Sequence, residues 1–231
     1  MFSIKGFTDY AASFQFVQKA GQALNSLKCW KKEKEDLSEV DLEAERQYSQ
    51  SIRARDLYRA GNRDEALALL DAEAGANNLY ALSRRATILL EEGRYDDALA
   101  DAMDVLALCP VNGGRKAECL YVAGKIFLHE NDPERALLYF KHAATFDPDW
   151  LRIHEGIAQA ELALGNFDAS LKAANQLLQS QRTQFFDKGW EIQGLAYLGK
   201  GNVEKALFCF EKMSGDSKEK LISDALASIN A

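Results

Sequence analysis

Proline is scarce: Pro110, Pro133 and Pro148 are the three in a chain of 231 residues. Proline removes a backbone donor and clashes with the preceding turn, so its rarity suits an almost wholly helical chain. Cysteine is sparse too. Cys29, Cys109, Cys119 and Cys209 form no C-x-x-C pair and read as reduced, mostly buried small hydrophobes rather than redox or metal groups. The three histidines, His129, His142 and His154, lack metal-ligand spacing. The chain has no phosphate-binding glycine loop, no G-x-G-x-x-G, no G-x-S-x-G and no H-E-x-x-H, so an enzyme reading has no residues to stand on and no cofactor or metal is expected. No run of about 18 apolar residues exists to span a membrane. The first residues, MFSIKGFTDYAASF, carry one lysine and no continuous apolar core, which argues against a secretory signal and makes a cytoplasmic location the default. Basic charge is also in deficit: 28 Lys and Arg against 35 Asp and Glu leave a formal charge of -7. A general nucleic-acid or anionic-membrane binder wants the opposite balance.

What the chain does have is helical periodicity. Between Ala117 and Trp150, Leu120, Ala123, Gly124 and Phe127 share one stripe, and Ala136, Phe140 and Ala143 share another. Spacings of three and four residues make each segment an amphipathic helix. Pro133 stands where the second helix begins, a position needing no donor, and Pro148 stops it. Gly124 and Ala136 are small enough to let the two helices approach closely, with Phe127 and Phe140 beside them. So small a hairpin leaves apolar flanks that neighbours must cover.

The neighbours repeat the pattern. Gly61, Gly93, Gly165 and Gly201 occupy matching turns, and Asn131 takes the same place in the hairpin described above; both residue types tolerate a left-handed backbone. Five residues beyond each stands a small side chain: Ala66, Ala98, Ala136, Ser170 or Ala206. Their spacing, near 34 residues, is the length of one tetratricopeptide (TPR) repeat. The chain resembles that family, whose pattern is W-x2-L-G-x2-Y followed by a small residue, an aromatic and a closing proline. Trp190, Gly194, Tyr197, Ala206 and Phe210 carry it in the last repeat. Leu120, Gly124, Phe127, Ala136, Phe140, Ala143 and Pro148 carry it in the middle one. Tyr95, Ala98, Leu106 and Pro110 fit in the second repeat, with Ala86 at the crossing. In the first and fourth repeats Ala54 and Ala158 replace the crossing glycine, and neither closes on proline.

The resemblance implies an all-α fold, an α-solenoid built as a right-handed superhelix of about five helix-turn-helix hairpins. The repeats fall near 47–78, 79–116, 117–150, 151–186 and 187–216, within an array over 38–216. Ser38 and Asp41 suit a helix start of capping-box type. Ahead lies 1–37, an N-terminal amphipathic helix over 8–30 and the charged linker KKEKED. Phe14, Val17, Leu24 and Leu27 share one side of that helix, and Tyr10, Phe16 and Trp30 widen it. It either caps the array or serves dimerisation, a partner or a membrane surface. The tail, 217–231, places Leu221, Ile222, Ala225, Leu226 and Ile229 on one stripe, as a capping helix must.

Function then rests on surface. In stacked helix pairs the first helix of each lines the concave side, which makes Arg55, Tyr58, Tyr80, Arg84, Tyr121, Lys125 and Arg152 the candidate partner-binding groove, with Gln159 and Lys188 beyond. Tyrosine and arginine often anchor interfaces, and such a groove suits a protein or peptide partner with apolar anchors and carboxylates. The expected function is a non-catalytic scaffold or adaptor, or a client chaperone. The alternatives are a subunit of a homo- or hetero-oligomer assembled through 8–30, and a secretion-type chaperone. Relatives that hold acidic chaperone C-termini use a Lys, Asn and Arg clamp. At the matching positions stand Ser51, Arg55, Ser83, Arg84, Tyr121 and Lys125, without the asparagines. The clusters Asp96-Asp97 and Asp101-Asp104 read as charges near a helix start, and Glu91-Glu92 as a solvated helix end.

Overall fold

The computed structural model describes residues 39–74, 78–108, 114–180, 182–214 and 217–227. The segment 8–30, its charged linker, Ser38, Cys29, Cys109, Pro110 and Ile229 lie outside them. Among the described residues there are eleven helices and no strand. They are α1 (Glu39–Arg59), α2 (Arg63–Ala74), α3 (Leu79–Glu91), α4 (Tyr95–Leu108), α5 (Gly114–His129), α6 (Pro133–Phe146), α7 (Leu151–Ala163), α8 (Phe167–Leu178), α9 (Thr183–Gly199), α10 (Val203–Glu211) and α11 (Ser217–Ala227). The chain divides into two compact units, 1–119 and 120–231.

Five hairpins close in one way. Gly61, Gly93, Gly165 and Gly201 have φ between 72° and 91°, and Asn131, expected as the substitute, has φ 60°. Each left-handed residue lets the next amide reach back to the last turn of the preceding helix, as in Asn62 N to Leu57 O at 3.0 Å and Asp132 N to Phe127 O at 2.9 Å. This bond satisfies a carbonyl that the helix end would otherwise orphan. Asp132 then caps α6 by accepting from Arg135 N, with Pro133 in the first turn.

In the first unit, Ala54 on α1, Ala66 and Leu70 on α2, and Ala81 and Ile88 on α3 form one buried cluster. Alanine at the crossings brings backbones close, and larger side chains fill the flanks. Arg85 on α3 ties this unit across its helices, with Nε 2.7 Å from Asp101 Oδ2 on α4 and Nη1 2.7 Å from Asp71 Oδ1 on α2. Asp101, expected near a helix start as a partner for the helix dipole, instead lies inside α4 and is buried against Arg85. Glu91 and Glu92 stand at the end of α3 as expected, and Glu91 is exposed, but the Glu92 carboxylate is engaged rather than simply solvated: it accepts from Tyr58 Oη at 2.9 Å and lies 3.4 Å from Arg63.

In the second unit, the ring of Phe140 is fully buried between two glycines. A Cβ placed on Gly124 of α5 or on Gly156 of α7 would stand 2.6 Å from it. Gly124 is the expected point of close approach. Gly156 is a second one, and it seats the following hairpin on the same ring. Ala158 and Ser170 form the crossing of the fourth hairpin. Both are buried, and Ser170 Oγ donates to the Ala158 carbonyl at 2.8 Å, so a hydroxyl stands in for the expected alanine without an unpaired polar atom. Phe210 repeats the arrangement against Gly194. Ala225 of α11 is buried in the Phe210 cluster, with Leu221 and Ile222 packed on it. Leu226, expected on that stripe, is 46% exposed; the stripe is narrower, centred on 221, 222 and 225.

Candidate partner-binding surface

The first helices of successive hairpins meet side by side through rungs one repeat apart. In the first unit, Arg84 Nη1 on α3 donates to Glu118 Oε1 on α5 at 3.0 Å, and Thr87 Oγ1 donates to the same oxygen at 3.0 Å. One turn earlier, the Arg115 guanidinium lies 3.7 Å from the centre of the Tyr80 ring, while Tyr48 meets that ring edge-on at 5.4 Å. The Nε atoms of Arg84 and Arg115 are buried without an acceptor. Desolvated donors of this kind are costly until something accepts from them. Asn78 holds the whole group in place, because its side chain accepts from Tyr80 N and Ala81 N and caps α3.

The remaining candidates of this unit are engaged locally. Arg55 pairs with its neighbour Asp56 at 3.0 Å. The Tyr58 hydroxyl is spent on Glu92, and burial with that hydrogen bond pushes its pKa up to about 12.

In the second unit, Tyr121 is buried, its ring tilted against Phe140 at 5.8 Å and Trp150 at 5.0 Å. It forms floor rather than contact surface. Above it, Lys125 Nζ on α5 donates to Gln159 Oε1 on α7 at 3.1 Å, again one repeat on. Gln159 in turn donates to Glu155 at 3.3 Å. Burial lowers the pKa of the Lys125 ammonium. Glu155 opposes that shift, and the charges of Lys188 on α9 and Arg152 on α7 add to it. Lys188 is bound to Glu191 by both carboxylate oxygens at 2.9 Å. Two further cations, Lys188 and Arg152, therefore act on the Lys125 ammonium, which burial already holds at a disadvantage.

Because the folded-state pKa of Lys125 lies below its unfolded value, the unfolded chain binds more protons between the two, and stability rises with pH through that window. Lys125→Met is expected to raise the urea midpoint at pH 7 and to lose this alkaline gain relative to wild type. Paired denaturation curves at pH 7 and pH 10 measure both effects.

Arg115, Glu118 and Glu155 escaped the sequence reading. Glu118 had a usable signal, since it stands one repeat length beyond Arg84 with opposite charge. Arg115 had none, as it precedes the 117–150 bounds read for the third repeat, although α5 begins early enough to include it. Among the described residues no group of three or more His, Cys, Asp or Glu side chains is placed to hold a metal ion. His154 Nε2 lies 2.6 Å from the Pro148 carbonyl, and His142 packs on Phe146 at 5.3 Å. No helix among the described residues is long and apolar enough to cross a membrane.

Comparison with known proteins agrees with this geometry. Residues 78–149 and 156–210 match two family models, each described as tetratricopeptide repeat, and together they span more than half of the chain. No curated protein matches it. Among solved structures, a thermophilic TPR protein of Thermus thermophilus superposes with a TM-score of 0.60 at 20% identity, over 78% of this chain and 99% of that one. MamA gives 0.56 at 18% identity, over 72% of this chain and 89% of that one. YrrB, described as a TPR protein with an unusual peptide-binding site, gives 0.55 at 18%, over 77% and 89%. At such identities the likeness is one of fold. With the family models, the repeat length and the five matching turns in agreement, the chain belongs to the tetratricopeptide repeat family and carries that family's scaffold for protein–protein interaction.

Proposed function

We propose that the protein is a non-catalytic adaptor that captures an acidic segment of a partner protein on its first-helix surface, with Lys125, Arg152 and Lys188 receiving the partner's carboxylates. The observation that carries this reading is the cation cluster around Lys125. Folding gains nothing from placing two further positive charges near a half-buried ammonium, whereas an incoming carboxylate offsets both the repulsion and the cost of burial. Tyr80, Arg84 and Arg115 offer the first unit's counterpart, a tyrosine ring stacked on Arg115 beside an Arg84 that is paired with Glu118 through Nη1 and leaves its buried Nε without an acceptor. Tyrosine and arginine in such settings are the side chains that anchor interfaces. YrrB, a protein of similar fold, is described as having an unusual peptide-binding site, which supports a peptide segment as the ligand class.

The test compares wild type with the Lys125→Gln/Arg152→Gln/Lys188→Gln variant, first in affinity capture from native lysate and then in titration of the captured partner. Neutral glutamines avoid new repulsion with Glu155 and Glu191. Affinity is expected to fall at least about tenfold and the salt dependence to weaken, as removal of interfacial charges requires. Equal affinity in a folded variant overturns the assignment.

A further inference from the structure

The second-helix face of the first unit carries exposed apolar surface between acidic groups. On α4, Met103 is 44% and Leu108 50% exposed, and Asp97, Ala100 and Asp104 are exposed beside them. A cleft of about 230 Å³ runs from this helix to α2, lined by Leu67, Asp71, Ala100 and Asp101 among others. Its carboxylates are paired with Arg85 and Arg94, which also line it, yet two stay open to a further cation: the Asp71 side chain is 63% and that of Asp97 57% exposed. Residues 39–119 hold sixteen carboxylates against ten cations. The stretch ahead of them has the opposite character. From Thr8 to Lys32 it carries Lys19, Lys28, Lys31 and Lys32 against the single Asp9, with lysines four residues beyond Leu24 and Leu27.

We propose that residues 8–30 dock on the α2–α4 face of their own chain. The stripe of Phe14, Val17, Leu24 and Leu27 covers Leu67, Ala100 and Met103, and Lys19 and Lys28 reach Asp71, Asp97 and Asp104. Chain connectivity favours this occupant over a second copy. Arg46, in the second turn of α1, bonds Glu73 near the end of α2 at 2.8 Å, so the start of α1 lies beside one end of the receiving face. The eight residues 31–38 span up to roughly 27 Å when extended. A tether of that length supplies an effective concentration on the order of millimolar. The docked segment covers exposed apolar surface that a monomer otherwise leaves open, and it leaves the first-helix surface to the partner. The inference stands independently of the partner reading.

The test uses the full-length protein, as a mixture of isotopically heavy and light chains treated with a carbodiimide that joins amines directly to carboxylates. Peptides linking Lys19 or Lys28 to Asp71, Asp97 or Asp104 are expected within single chains, heavy to heavy or light to light. Amides of 8–30 are expected to show hydrogen-exchange protection that falls about tenfold in Asp104→Lys. That exposed substitution leaves the helical circular dichroism unchanged. Links only between chains, links only to other carboxylates, no links, or unprotected amides in 8–30 each overturn the proposal.

Discussion

Phe140→Ala is expected to lower the unfolding free energy by about 3–5 kcal/mol, the usual cost of emptying a fully buried aromatic site. The upper part of that range applies, because the cavity cannot collapse easily. Its walls are the backbones of two helices at Gly124 and Gly156, each already in close contact with the ring, and helix backbones do not shrink into a void as side chains can. The ring also joins hairpins. Repeat arrays gain stability from interfaces between neighbouring units, so losing a residue that touches α5, α6 and α7 weakens one such interface as well as one hairpin. Urea denaturation followed by far-ultraviolet circular dichroism should show a lower midpoint and a broader transition. Gly156→Ala probes the same contact from the other side, since a methyl 2.6 Å from the ring overpacks it at about 1–3 kcal/mol. Combining Gly156→Ala with Phe140→Leu should cost less than the sum of the two, because the smaller side chain makes room for the methyl.

That contact shows which features the sequence displays and which it hides. Gly124, Phe140, Ala136 and the turn residues were legible because repetition gives each position several chances to be seen. Asn131 is the clearest case: no glycine stands there, yet the register demanded a left-handed residue, and its φ is 60°. Gly156 was passed over because the family pattern directs attention to Ala158, two residues later; its role depends on a ring in the preceding hairpin, which no local pattern reports. The surface was less legible for a related reason. Periodicity indicates which residues leave the core of their own hairpin but not what the next hairpin brings beside them. Tyr121 thus reads as surface until Trp150 covers it, and Arg84 reads as an open cation until Glu118 arrives one repeat on. Lys125 was placed by register, while its disadvantage comes first from burial by neighbouring helices and then from the charges of Lys188 and Arg152, which stand on other helices.

Arg85→Met is the second substitution expected to be severe, at about 3–5 kcal/mol, although arginine is ordinarily a surface residue. Its guanidinium makes two hydrogen bonds to Asp101, whose side chain is only 8% exposed. Removing the cation strands that carboxylate in a poorly solvated place, and breaking one half of a buried pair costs far more than the intact pair contributes. The bond to Asp71 adds little to the loss, because that carboxylate is largely in water and can be hydrated there. This asymmetry gives the test its control. Asp71→Asn should be nearly silent, and Arg85→Met/Asp101→Leu should recover most of the stability lost in Arg85→Met, since an apolar pair of similar volume leaves nothing unsatisfied. Thermal and urea unfolding of the three variants separate the possibilities. If Arg85→Met matches Asp71→Asn, the buried pair is a surface contact in solution. If the double variant fails to recover, the cost comes from lost packing of the arginine stem between α2 and α4, and not from the stranded charge.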